Sequence, residues 1–316
     1  MLKKKLHPEL RKLLLFSGIF LVINAGLTLY FKRVSIRNHK LLKQERVFKQ
    51  APDAIDVMIM GHSRPYKAID ASLLGNSVNF CSGGESSVYT YYKLKYVLEE
   101  SGKSVKTVLM PAGFPSINLT DPNVNSNSFY WKRYVDYCEL AAITDDHEAY
   151  TSLWLKSRTI PWYEYGYLKL ASMTGDINFK TDKKVFKEGN EADNLALAES
   201  IISRMTDTRS MYDSVSLHYV QKTMELCKKH HVQLVYIKYP VSKPYRSAVK
   251  RIIEAKNLQD ATGNFEKIIA SHSEIEFWDY GAYWGENDMY FVDPQHINKE
   301  GQRLFTLLIK TRLERL

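Results

Sequence analysis

Ile55-Asp56-Val57-Met58-Ile59-Met60-Gly61-His62-Ser63-Arg64 is the stretch on which the fold turns. Its first six residues form a short apolar run rich in branched and large side chains, the composition of a strand buried on both faces, and the run stops at a glycine. Glycine at that point permits a sharp turn and a close backbone approach, so Ser63 is expected at the carboxyl edge of a parallel sheet. A serine after a strand is also a common helix cap, and the tripeptide Gly61-His62-Ser63 leaves both readings open.

Working outward, the same alternation recurs. Val78 to Cys81 reads as a second strand, Ser86 to Glu100 as a helix, Val105 to Met110 as a third strand and Val232 to Tyr239, ended by Pro240, as a fourth. Glu274 to Trp278 is a fifth candidate, and Lys299 to Leu316 is a closing amphipathic helix with Asn298 as its cap. Short strands separated by helices predict an α/β protein with a doubly wound, mostly parallel sheet, whose ligands sit at the carboxyl ends of the strands. The pattern is lost between residues 115 and about 211, where the aromatic stretches SFYWKRY and PWYEYGY and a polar run from Asp176 to Asp193 occur. An insertion or lid over the sheet, with rings that line a groove for sugars, is one reading; ordinary surface elements with buried rings are the other.

The chain has 316 residues, with 45% hydrophobic, 12% aromatic and 25% charged residues, which excludes disorder as its main state. Three cysteines, Cys81, Cys138 and Cys227, are odd in number and carry no CxxC pairing, so neither a disulfide framework nor a zinc site is indicated. His230-His231 is an adjacent pair whose side chains diverge on a helix or strand, which gives no metal site, and no phosphate- or dinucleotide-binding glycine pattern occurs. No cofactor or metal is expected.

The net charge of +9 is concentrated at one end. Residues 1 to 50 contain twelve Lys and Arg against Glu9 and Glu45, whereas the rest contains 32 basic and 33 acidic residues. A near-neutral globular part gives no support to a nucleic-acid-binding face. The basic residues instead flank Leu13 to Phe31, nineteen residues without a charge, enough helix to cross a hydrocarbon core of about 30 Å. We read residues 1–33 as a membrane anchor, 34–50 as a polar helical linker and 51–316 as the α/β domain. A cleaved signal peptide or a buried core helix are the other readings of the apolar run. Basic residues on both sides of it nearly balance, so charge leaves the orientation open.

A second chemical segment, Asp293-Pro294-Gln295-His296, lies just before the closing helix. Pro294 biases Asp293 toward an extended backbone, so a loop is expected from which the carboxylate and the imidazole turn toward the sheet edge. A serine hydroxyl needs a base to take its proton, and an imidazole in that role needs a carboxylate to set its tautomer. Ser63, His296 and Asp293 are the residue types for that relay. The plainer reading makes Asp293 a helix cap and His296 a satisfied core histidine.

Three segments together resemble the SGNH (GDSL-like) hydrolase superfamily. They are Val57 to Arg64, Asn79-Phe80-Cys81-Ser82-Gly83-Gly84, and Asp293 to His296. Within the superfamily, the similarity is to membrane-anchored relatives that serve cell-surface O-acylation, such as the alginate acetyltransferase proteins and the teichoic-acid D-alanyl transfer protein. The resemblance implies Ser63 as nucleophile, His296 as general base, Asp293 as its partner, and Gly83 or Gly84 as a backbone oxyanion donor. Two departures accompany it. His62 stands where the better-known members have Asp, and Pro111-Ala112-Gly113-Phe114-Pro115, after the third strand, lacks the asparagine that usually completes the oxyanion hole. Arg64 or another backbone N–H is the expected replacement. Gly285-Glu286-Asn287-Asp288 has the letters of the missing block but comes too late in the chain to follow the third strand.

The activity so implied is that of an esterase or O-acyltransferase working through an acyl-serine intermediate on O-acyl groups of a cell-surface polysaccharide or polymer. It also implies an extracytoplasmic domain and a membrane-bound O-acyltransferase as partner. The missing asparagine motivates a different class, an inactive SGNH-like scaffold that binds glycan or serves assembly.

Overall fold

The computed structural model describes residues 7–34, 40–113, 133–135, 138–139, 151, 155–156, 190–206, 214–255 and 259–316. The chain divides into two units, Met1–Lys43 with Pro122–Phe179, and Gln44–Asp121 with Lys180–Leu316. Most of the expected insertion, including both aromatic stretches apart from Arg133 and Tyr134, lies outside the described residues.

In the first unit, α1 (Pro8–Val34) carries the uncharged run. Pro8 to Tyr30 is long and apolar enough to cross a membrane or to act as a signal sequence, and none of it is buried in the protein. A core helix would be buried. The side chains of Leu15, Phe16, Leu21 and Val22 all stand exposed. Thr28 satisfies its hydroxyl by donating to the Asn24 carbonyl one turn back, at 2.6 Å.

The second unit is built on five parallel strands, β1 (Ala54–Ile59), β2 (Ser77–Asn79), β3 (Ser104–Pro111), β4 (Gln233–Lys238) and β5 (Glu276–Asp279), in the order β2-β1-β3-β4-β5. This is the α/β, mostly parallel sheet that the apolar runs predict. The strand order reverses between β1 and β3, and in doubly wound sheets that switch point opens a crevice at the carboxyl ends of the strands. Both faces are covered, as the continuous apolar runs require. On one face Val57, Ile59, Leu109, Val235 and Ile237 share a core with Phe305 and Ile309. Alternation turns Met58, Val108, Leu234 and Tyr236, also buried, to the other face. There Tyr236 meets Phe265 edge-on at 5.7 Å.

Helices fill the connections. They are α2 (Lys40–Gln50), α3 (Ser63–Ala68), α4 (Ser87–Lys95), α5 (Glu191–Thr206), α6 (Ser214–Lys229), α7 (Lys243–Ala255), α8 (Gln259–Ala270) and α9 (Lys299–Leu313). The helix expected over Ser86 to Glu100 is α4, capped by Ser86, and continues from Tyr96 to Glu100 as a π-helical turn. Asn298 caps α9 by accepting from the Gly301 N–H at 3.0 Å. The polar stretch 34–50 holds more than a solvated connector, because Phe48 is buried and stacks on Phe80 at 4.9 Å, and Gln44 donates to the Cys81 carbonyl.

One local expectation is corrected. Asp293 to His296 is a tight antiparallel hairpin, not an open loop: β6 (Phe291–Asp293) pairs with β7 (His296–Ile297), and Asp293 opposes His296. Pro294 keeps Asp293 extended. The Asp293 carboxylate then accepts the Gln295 N–H at 3.0 Å, a side-chain turn that closes the hairpin.

Candidate active site

Gly61 sets the position of the serine. Its φ of 111° is one that L side chains rarely adopt, and a Cβ there would lie 2.6 Å from two ring atoms of Pro111. Only glycine lets the chain leave β1 this close to the end of β3. After this turn His62 caps α3 by accepting the Arg64 N–H on Nδ1 at 3.3 Å, and Ser63 is the first residue inside the helix. The hydroxyl of Ser63 is therefore not spent on capping.

It is engaged elsewhere. His296 Nε2 lies 2.8 Å from Ser63 Oγ, and His296 Nδ1 lies 2.9 and 2.8 Å from Asp293 Oδ1 and Oδ2. The structure thus brings Ser63, His296 and Asp293 into one hydrogen-bonded line at the carboxyl edge of β1. Asp293 does not cap α9; Asn298 does. Lys67, at 3.8 Å from Asp293 Oδ2, flanks the carboxylate on the other side.

The electrostatics follow from burial and these partners. Burial pushes the His296 pKa down, the Asp293 carboxylate opposes this, and Lys67 and Arg64 add to the depression, so that the net shift is below the ordinary 6.5. Burial pushes Asp293 up, but its hydrogen bond and charge pairing with His296, the Gln295 N–H and Lys67 outweigh that and hold its pKa below the usual value. Near neutral pH the pair is a neutral imidazole against a carboxylate. The Nδ1 proton goes to Asp293 and Nε2 is left to accept from the serine. His62 is also held neutral, by burial first and then by Arg64 and His296.

The remaining expected site residues occupy distinct places. The Ser82 N–H donates to the Gly61 carbonyl at 2.9 Å, which ties the second block to the serine turn. Gly83 and Gly84 form the exposed corner of a turn closed by the Glu85 N–H on the Ser82 carbonyl, with Gly84 at φ 73°, the left-handed position that a type II turn demands. Among the described residues no backbone hydrogen bond uses the N–H of Gly83 or Gly84. After the third strand, the Ala112 N–H is consumed by the Ile237 carbonyl at 2.8 Å. Asn287 of the displaced Gly-Glu-Asn-Asp letters caps the short turn Asp288–Tyr290. Arg64 is buried and stacks over Tyr245, 4.7 Å from the ring centre.

Sequence reasoning missed what braces the second block. Lys93 and Glu85, both fully buried, pair at 2.7 Å; Lys93 also donates to the Phe80 carbonyl, and Thr90 donates to Glu85 at 2.7 Å. A lysine two positions before the end of a helix gives no sign in the sequence that it points inward. Among the described residues no cluster of His, Cys, Asp or Glu could hold a metal ion.

No family model and no curated protein matches the chain. Among solved structures it is similar to a Bacteroides fragilis protein described as a candidate acylhydrolase, at 12% identity and a TM-score of 0.42, over 88% of this chain and 96% of that one.

Proposed function

We propose that the protein is an SGNH-like serine esterase or O-acyltransferase, with Ser63 as nucleophile, His296 as general base and Asp293 as the group that orients it. The observation that carries this reading is the unbroken line from Ser63 Oγ to His296 to Asp293, each contact below 3 Å. Ser63 Oγ attacks the carbonyl carbon of an ester while its proton passes to His296 Nε2, and Asp293 holds the imidazolium. Collapse of the tetrahedral intermediate breaks the ester C–O bond, and the departing alcohol takes the proton from His296. The acyl group is left on Ser63. A second hydroxyl then gives its proton to His296 and attacks the acyl carbon, the bond to Ser63 Oγ breaks and Ser63 recovers the proton from His296: water makes the protein an esterase, a sugar hydroxyl makes it an O-acyltransferase.

The oxyanion is assigned to the backbone N–H of Gly83 or Gly84, whose turn is bonded to the Gly61 carbonyl and whose N–H groups are not used by the backbone of the described residues. An apolar N-terminal helix supports work at a membrane; O-acyl groups of a cell-surface polymer as substrate and a domain outside the cytoplasm are what the resemblance of the three segments implies. A membrane-bound O-acyltransferase that delivers the acyl group is the partner this reading implies. The test is labelling of the full-length chain in detergent by a serine-directed fluorophosphonate, alongside release of acetate from p-nitrophenyl acetate. Ser63→Ala is expected to abolish both. Undiminished labelling of that variant removes Ser63 from the mechanism, and retained polysaccharide binding without turnover in the parent favours the non-catalytic scaffold.

A further inference from the structure

Arg64 is only 8% exposed, and its Nε and Nη2 are shielded from water without any hydrogen-bond partner. Withdrawing a guanidinium from water without acceptors is costly, and stacking on Tyr245 offsets only part of that cost. Arg64 forms part of the wall of a cavity of about 410 Å³ at the carboxyl ends of β3 and β4, where Val241, Tyr245, Val249 and Ile253 supply apolar surface. The other cations that line it are engaged. Lys238 holds Glu266 and Asp279 at 2.8 and 3.2 Å, Arg246 donates to the Val241 and Gly285 carbonyls at 2.7 and 2.6 Å, and Lys250 faces Glu254 at 3.9 Å. Among these residues only Arg64 has N–H groups that are both shielded from water and without an acceptor.

The two waiting atoms share one edge of the guanidinium. Nε–H and Nη2–H make the side-on fork that fits two oxygens of a carboxylate or a phosphate with parallel charge-assisted bonds. We infer that this cavity is a recognition pocket for an oxyanion borne by the substrate, which draws the shielded Nε–H and Nη2–H edge of Arg64 toward it, with the adjoining apolar part of the substrate against Val241 and Tyr245. The word substrate rests on the acyl-serine reading; the binding of the anion does not. Proximity to the site is consistent with it, since the charge of Arg64 contributes to the depressed basicity of His296. Arg64 thereby belongs to ground-state recognition and not to the oxyanion hole, a difference that appears in KM and not in kcat.

The test compares esters in matched pairs on the full-length chain in detergent: p-nitrophenyl acetate with mono-p-nitrophenyl succinate, and acetylglycerol with acetylglycerophosphate. Arg64→Gln is expected to lower the preference for the anionic over the neutral member, as a ratio of kcat/KM, by about tenfold or more in one pair, chiefly through KM. The pair that responds tells carboxylate from phosphate. Arg64→Lys, which keeps the charge and loses the fork, is expected to restore only part of the preference. A ratio unchanged in both pairs overturns the inference. Calorimetric titration of Ser63→Ala with monomethyl succinate and with glycerophosphate decides the matter without turnover. Binding that is lost in the Ser63→Ala, Arg64→Gln double variant upholds the pocket even if no ester is hydrolysed, an outcome that counts against the acyl-serine reading alone. Absence of binding to Ser63→Ala by either anion overturns the pocket even if Ser63 proves to be the nucleophile.

Discussion

Ser63 Oγ and His296 Nε2 stand 2.8 Å apart although 233 positions separate them in the chain. The serine rides on the turn out of β1, and the histidine on the hairpin that precedes α9. Both elements are anchored to one face of the sheet, because Ile59 of β1 and Phe305 and Ile309 of α9 are buried in the same core. Thr306 of α9 adds a polar tie by accepting the N–H of Asp70, just past the end of α3, at 3.0 Å. The contact is thus fixed by packing on both sides of it.

Asp293→Asn tests the orienting role. An amide that donates to Nδ1 stabilises the tautomer with its proton on Nε2, which cannot accept from Ser63. Esterase activity is expected to fall by about 10³- to 10⁴-fold with little change in melting temperature. A loss under about tenfold would take Asp293 out of the relay.

The pH dependence follows from the depressed basicity of His296. The imidazole acts as base only when neutral, so the acid limb of kcat/KM is expected below the ordinary histidine value of 6.5. Lys67→Met removes a positive charge that contributes to the depression, and the limb is expected to move upward. Stability follows the same sign. His62 and His296 bind protons less readily folded than unfolded, so stability is fully present above pH 6.5 and declines as the pH falls from there toward their folded values. An acid limb above 6.5, or a downward move in Lys67→Met, contradicts this electrostatic account.

Much of this arrangement is legible along the chain, and the rest is not for physical reasons. Strands buried on both faces advertise themselves as apolar runs, so β1, β3 and β4 are found within a residue or two of their ends. The serine after β1 and the Asp-x-x-His before the last helix mark the site because a relay needs those residue types in that order. Tertiary pairing leaves no such mark. Neither the direction of Arg64 over Tyr245, nor the buried pair Lys93 and Glu85, nor the stacking of Phe48 on Phe80 has a periodic signature. Each depends on a partner at least eight positions away. The hairpin at Asp293 was hidden by its proline, which signals an extended backbone without saying what pairs with it.

Gly61→Ala tests the turn that presents the serine. The added methyl meets the Pro111 ring, and the positive φ adds backbone strain, together about 2–4 kcal/mol of destabilisation. Pro111→Ala in the same chain removes the steric part and is expected to restore some of the stability, read by chemical denaturation. A Gly61→Ala protein as stable as the parent would show that the turn is not constrained in this way.

Lys93→Met tests the brace beneath the second block. It leaves Glu85 buried without its cation, at a cost of about 3–5 kcal/mol, whereas the Lys93→Met, Glu85→Gln double variant is expected to recover a large part of it. Strict additivity of the two single changes would mean that the pair is not coupled.

The most direct measurement is made on the acyl group itself. The full-length chain is mixed with p-nitrophenyl acetate, quenched in acid before the steady state, digested and sequenced by mass spectrometry. One acetyl group on Ser63, accumulating further in a His296 variant only if deacylation is slowed more than acylation, is the expected result. Ester turnover with Ser63 unmodified and an acetyl group on another side chain would contradict an acyl-serine relay at the end of β1.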